Sequence, residues 1–432
     1  MGISAKKARF VNQAIIDKVT KHYMESGDFN GYPVYALKKQ FHVNDETAKE
    51  LLRDLIQARH IDVVFGNIHP NPHIKAFSDT TAEKQIEFLE ELEFGEHFCL
   101  YPSRETLAKA KLSENLSDTP YTEQLALGGG QLDFRVFDLS VLEYYRNDPR
   151  YYYQTDFING QISVTDEYLE SALMAEHDQV LLQTFGFAHD EDLNRGVAVF
   201  LRYLSDLSPE HQKIWKSKEL SGDYQLHPDY LRNSMGHWGT KMSIFEAFNE
   251  EMLVINEMAA LIGKPSLFKN TYQHDYPRNF GFLLRPTLSE FNAFVLLLDQ
   301  LMSDNLNQKF FTPELALEED HPREDGKVEV IRKGTIALLD EWVNHYFRPQ
   351  ESEPLERMLA SFRKVRKLRQ KPAHSVREDE FDQKYFHEQR SLIIDAYGAV
   401  RTLRLVLANH PRVRGNPPEI NEFLYEGKIW TV

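Results

Sequence analysis

Residues 355–377 read LERMLASFRKVRKLRQKPAHSVR. Leu355, Met358, Leu359, Phe362 and Val365 recur every three or four residues, which puts them on one face of a helix and predicts that this face is buried. The same period continues on either side. Phe291, Phe294, Val295, Leu298, Leu301 and Met302 mark one neighbouring helix, and Ile336, Leu339, Trp342, Val343 and Tyr346 a second. Ile393, Tyr397, Val400, Leu403 and Leu407 mark the last. Between the first two, ALEEDHPREDGK (316–327) reads as an acidic loop. Amphipathic helices at this spacing predict a helical bundle over 286–432.

From Ser361 to Arg377 there are seven basic residues and no acidic one, in a chain of formal net charge -16. A local reversal of sign of that size points to an anionic partner. Arg363, Arg366 and Arg369 recur every three residues and form a ridge on the face away from the core. With Lys367, Lys371 and Arg377, Arg363 and Arg366 are the candidate nucleic-acid contacts. Pro372 disfavours helical geometry at Lys371 and suits the first turn of a new helix. Arg369 then lies in the last turn before a corner and His374 in the first turn after it, so the two side chains can converge. A helix N-terminus lowers a histidine's proton affinity, favouring a neutral imidazole that accepts a proton near neutral pH.

The run RQKPAH (369–374), set among helices of this pattern, resembles the R-x4-6-H motif of HEPN-domain proteins. That family includes metal-independent ribonucleases of toxin-antitoxin, CRISPR-associated and phage-defence systems. The resemblance covers residues 286–432. It implies that Arg369 steadies a scissile phosphate and that His374 moves the proton as an RNA 2′-hydroxyl attacks. It implies further that RNA is the substrate, that no metal or cofactor takes part, and that two copies bring their motifs face to face in a homodimer or higher symmetric oligomer. A cytoplasmic role in phage defence or a toxin-like stress response, under a regulatory protein partner, follows from the same resemblance. Gln370 stands where many family members carry Asn.

The spacing recurs at Arg53/His60, Arg404/His410 and Arg232/His237. The last pair, in RNSMGH, has the Arg-Asn dipeptide and precedes a helical pattern, SIFEAFNEEMLVI, so it is the alternative catalytic pair. Other chemistry finds less support. Gly128-Gly129-Gly130 lacks the Lys-Ser/Thr of a phosphate-binding loop, His69 and His73 lack a third metal ligand, and neither Gly-x-Ser-x-Gly nor His-Glu-x-x-His occurs.

Residues 1–78 resemble a winged helix-turn-helix. Phe10, Ala14, Ile15, Val19 and Tyr23 share a helix face; VYALKKQF (34–41) is a short second helix; Asn44 caps a third, whose stripe is Ala48, Leu51, Leu52, Leu55 and Ile56. IDVVFGNIHPNPHIKAF (61–77) then reads as two strands about a Gly66-Asn67 turn. Lys49, Arg53 and Arg59 in or beside the third helix are interleaved with Glu46, Glu50 and Asp54, which repel phosphates. A DNA-binding regulator and a non-catalytic interaction protein are therefore the competing readings.

Residues 79–285 predict a mixed but mostly helical middle domain. EKQIEFLEELEF and RETLAKAKL read as helices, HFCLYPS as a strand, and GGGQLDFRVFDL as a loop entering a strand. DEYLESALMAEHDQVLLQTF (166–185), RGVAVFLRYLSDL (195–207) and SIFEAFNEEMLVINEMAALI (243–262) read as helices. In LEYYRNDPRYYYQ (142–154) the tyrosines read as packing aromatics rather than a base-stacking surface.

Composition frames these readings. A chain of 432 residues with 42% hydrophobic content suits two or three domains with sizeable cores. The single cysteine, Cys99, offers neither an internal disulfide nor a cysteine zinc site, as expected of a reducing compartment. The opening MGISAKKARF lacks a signal peptide's apolar stretch, and Lys6 stands where a myristoylation motif wants Ser or Thr. No run approaches a membrane span. The expected class is mainly α: a winged helix-turn-helix, a mostly helical middle and a C-terminal bundle.

Overall fold

RGVAVF (195–200) is a β-strand, not the opening of a helix, and with it the mainly α class gives way to a mixed α/β fold. A computed structural model describes residues 5–66, 69–77, 80–91, 98–110, 116–171, 173–272, 277–323, 327–370 and 378–431. About 51% of the chain is helical and 16% is strand. It divides into two compact units, 1–155 with 159–238, and 156–158 with 239–432.

The first unit holds a six-stranded antiparallel sheet. Its order is Phe134–Phe137, Arg195–Phe200, Leu181–His189, Asn159–Val164, Tyr151–Thr155, with Gln225–Leu226 paired to Leu181–His189. Val197, Ala198, Val199 and Phe200 are all fully buried. A strand covered on both faces shows no alternation, so its apolar run matches a buried helix equally well. Within DEYLESALMAEHDQVLLQTF only Asp166–Leu169 is α-helical, and Leu181–His189 is a sheet strand. Tyr145 and Tyr151 are buried in the same unit, and Tyr144 and Tyr152 are exposed.

Helices Ala5–Glu25, Val34–Phe41 and Asp45–Gln57 open this unit, and Asn44 Oδ1 accepts the Thr47 N–H at 2.9 Å as the cap of the third. Ile61–Phe65 does not pair across Gly66-Asn67. Its partner is Phe98–Pro102, the centre of a sheet completed by Tyr32–Pro33.

In the second unit, helices Ile244–Leu261, Leu288–Asp299, Thr335–Tyr346, Glu353–Gln370 and Lys384–Ala408 share one apolar core. The inward stripes read from the sequence, such as Leu355, Met358, Leu359, Phe362 and Val365, are buried. Ile244–Leu261 packs against Lys384–Ala408. A parallel pair, Met242–Ser243 with Ile429–Trp430, lies at its edge. The expected acidic loop is a hairpin, Glu318–Pro322 against Val328–Arg332, exposed along both strands. Among the described residues no helix is long and apolar enough to cross a membrane.

Candidate functional site

Helix Glu353–Gln370 buries its apolar stripe and carries its cations outward, where most of them meet carboxylates of the same unit. Arg363 pairs with Asp340 on Thr335–Tyr346, and Lys364 with Asp395 on Lys384–Ala408 at 2.7 Å. Arg366 Nη2 donates to Asp304 Oδ1 at 2.7 Å, and its Nε lies 3.2 Å from Asp299 Oδ1. Arg369 Nη1 donates to Asp299 Oδ2 at 2.7 Å and also to Asp304.

The two aspartates converge because of a local change of helix type. Helix Leu288–Asp299 runs on into a π turn, Gln300–Asp304. On an α-helix, side chains five residues apart point about 140° from each other. A π turn closes on i→i+5 hydrogen bonds and so brings Asp299 and Asp304 to the same side. Asp299 is fully buried. Ser303 on the same turn is also fully buried, and its Oγ has no hydrogen-bond partner among the described residues. Such turns are frequent where a helix serves a function.

The electrostatics follow from the pairing. Burial raises the Asp304 carboxyl, but the hydrogen bonds from Arg366 and Arg369 outweigh it and hold the group below its ordinary value. Asp299 and then Asp304 hold the Arg369 guanidinium above its own. Arg369 is 31% exposed, and among the described residues its Nε and Nη2 make no hydrogen bond. One edge of the guanidinium is thus fixed by buried acid.

Beside it lies a cleft of about 770 Å³ between Thr335–Tyr346 and Glu353–Gln370, lined by Arg363, Arg366, Lys367 and Gln370 among others. Lys367 has no ion-pair partner among the described residues. Lys371, His374 and Arg377 lie outside the described residues. Arg363, Arg366 and Lys367 thus line the cleft, Arg369 is tied to Arg366 through the shared aspartates, and the described part of the structure does not include the histidine of the pair.

The acids of this site escaped the sequence reading because they stand 70 and 65 positions before Arg369. One signal was present. Asp299 follows Val295 by four residues and precedes Met302 by three, so a carboxylate occupies the apolar stripe of its helix.

The other pairs of the same spacing sit in different surroundings. Arg404 is buried and bound to the buried Glu251. Arg53 pairs with Glu90 on the helix Ala82–Glu91. Arg232 and His237 are exposed at the end of the short helix Pro228–Ser234; Arg232 Nε donates to the Trp238 carbonyl at 3.2 Å, and the His237 N–H to the Arg232 carbonyl at 2.9 Å. His69 contacts the Ser234 carbonyl at 3.1 Å, and His73 the Gly31 carbonyl at 3.1 Å. Near the helix Asp45–Gln57, Arg59 faces Glu105 at 3.5 Å and Lys38 pairs with Asp45. Among the described residues no three His, Cys, Asp or Glu side chains gather as a metal site would require.

Comparison with protein-family models, with curated proteins and with solved structures finds no match to the chain.

Proposed function

We propose that this chain cleaves RNA without a metal ion, with Arg369 holding the scissile phosphate and His374 taking the proton of the attacking 2′-hydroxyl. The observation that supports it most is the setting of Arg369. Its Nη1 is anchored on the fully buried Asp299, and among the described residues its Nε and Nη2 have no hydrogen-bond partner. Anchoring of this kind fixes a guanidinium before substrate arrives, so little reorganisation is needed when charge builds on the phosphate. Asp299 and Asp304 against Arg366 and Arg369 make the cluster neutral as a whole, so a bound phosphodiester adds the charge that Nε and Nη2 are left to meet. The resemblance of RQKPAH to the HEPN motif supplies the role of His374. In the reaction the 2′-oxygen gives its proton to His374 and bonds to phosphorus as the bond to the 5′-oxygen breaks, and the 5′-oxygen takes a proton from water, leaving a 2′,3′-cyclic phosphate and a 5′-hydroxyl.

Purified protein incubated with mixed RNA in EDTA tests the chemistry. Products ending in 2′,3′-cyclic phosphate and 5′-hydroxyl are expected. Cleavage that requires magnesium, or that leaves 5′-phosphates, contradicts the proposal.

A second reading draws on the same ion pairs. Because Arg363, Lys364, Arg366 and Arg369 all meet internal carboxylates, the basic helix also reads as a structural seam of a non-catalytic interaction protein. Retention of biological activity by His374→Ala favours that reading.

A further inference from the structure

Three helices of the second unit, Ile244–Leu261, Thr335–Tyr346 and Lys384–Ala408, end at one pocket of about 350 Å³. Its lining includes the cap residues Ile262, Phe347 and Asn409 of all three. The cleavage reading uses none of this pocket.

Charge narrows what it can hold. Each helix end carries partial negative charge on its last carbonyls, and three together disfavour an anion. Cations are already seated there. Lys264 Nζ donates to Glu314 at 2.7 Å and to the Phe310 carbonyl at 2.6 Å, and Arg412 Nη1 donates to the Ile262 carbonyl at 3.2 Å. A further cation would face both. Lys264 is thus paired with Glu314 and Arg412 is seated on a helix-end carbonyl, and a neutral ligand fits best.

Shape and hydrogen bonding narrow it further. Trp342, Tyr346 and Phe347 line the pocket, with the Trp342 and Tyr346 rings 5.5 Å apart and inclined at 44°. Trp342 is buried, whereas Tyr346 is half exposed and can close over a flat ligand. His410 Nδ1 accepts the Arg412 N–H at 3.3 Å, so the neutral ring carries its proton on Nε2 and offers a donor. Glu314 accepts from Lys264 through Oε2 and keeps Oε1 as an acceptor. The volume is at the lower end of the range for small-molecule pockets.

We propose that this pocket binds the neutral, planar, donor-and-acceptor-bearing base of a nucleoside, and that it rejects the corresponding phosphate.

The test uses the full chain, with adenosine, guanosine, cytidine and uridine as probes, followed by saturation-transfer NMR and tryptophan fluorescence. At least one nucleoside is expected to bind with Kd below about 1 mM. Its 5′-monophosphate is expected to bind roughly tenfold more weakly, the cost of bringing charge to the helix ends. Tyr346→Ser, at a half-exposed position, and Glu314→Gln should each weaken the nucleoside roughly tenfold. Lys39→Ala, at an exposed position of the first unit, should leave it unchanged. Absence of binding by all four nucleosides, tighter binding of the monophosphate, or indifference to both Tyr346→Ser and Glu314→Gln would overturn the assignment. Because none of these readings involves RNA cleavage, their failure is distinct from failure of the ribonuclease reading.

Discussion

Arg404 and Arg369 each precede a histidine at the spacing of the motif, yet the protein treats them differently. Arg404 is buried with Glu251 as its buried partner, whereas Arg369 is bound on one edge and partly exposed. Removing the partner of a buried ion leaves an uncompensated charge, so Glu251→Ala should cost about 3–5 kcal/mol, read from urea unfolding. A change within about 0.5 kcal/mol would contradict burial of the pair. On the ribonuclease proposal Asp299 positions Arg369, and Asp299→Asn keeps its shape while removing its charge. The variant should cut kcat about a hundredfold with KM little changed, because a displaced phosphate clamp acts on the transition state. A rise in KM alone would assign Asp299 to substrate binding instead. His211 adds a pH dependence. It is fully buried, its Nδ1 lies 2.8 Å from the Tyr145 hydroxyl, and burial holds its imidazole below the ordinary value of 6.5. Between the folded and unfolded values the unfolded chain binds the extra proton. The contribution of His211 is therefore complete above pH 6.5 and is lost as pH falls from 6.5 toward the folded value. Melting temperatures across that window should drop less in His211→Gln than in the wild type, and equal slopes would contradict the account.

At the scale of elements, legibility in the sequence followed the geometry of burial. Helices with one apolar face, such as Glu353–Gln370 and Lys384–Ala408, were plain because solvent on the far side imposes the 3.6-residue period. Arg195–Phe200 was misread because a strand buried on both faces lacks that contrast, and residues 181–185 because their short alternation was absorbed into a longer helical pattern. The partner of Ile61–Phe65 was hidden by distance, since Phe98–Pro102 pairs with it in place of the run beyond Gly66-Asn67. Of the candidate site, the basic ridge was legible, and its acid partners were not, because ion pairs between helices leave no period. One strand detail makes a direct prediction. A Cβ on Gly186 would lie 2.2 Å from the Tyr230 ring, and both residues are buried. Gly186→Ala should therefore destabilise the first unit by about 1–3 kcal/mol through overpacking, seen in thermal unfolding. A neutral substitution would contradict the packing of Tyr230 over the sheet.

Across the whole molecule, the proposal that a chain of net charge -16 holds RNA rests on local arrangement. Four cations, Arg363, Lys364, Arg366 and Arg369, stand together on the helix Glu353–Gln370, where carboxylates of the same unit hold each of them in place. The paired-motif arrangement that the HEPN resemblance implies predicts a mass of twice 50.5 kDa or a higher multiple, measured by light scattering at micromolar concentration. A mass of 50.5 kDa under those conditions would contradict it. The most direct test of the central claim is the single-turnover rate of RNA cleavage in EDTA for the wild type, His374→Ala and His237→Ala. The account predicts loss on the order of a hundredfold in His374→Ala and an unchanged rate in His237→Ala. Undiminished cleavage by His374→Ala, with loss in His237→Ala, would move the chemistry to the other pair and contradict the claim made for Arg369 and His374.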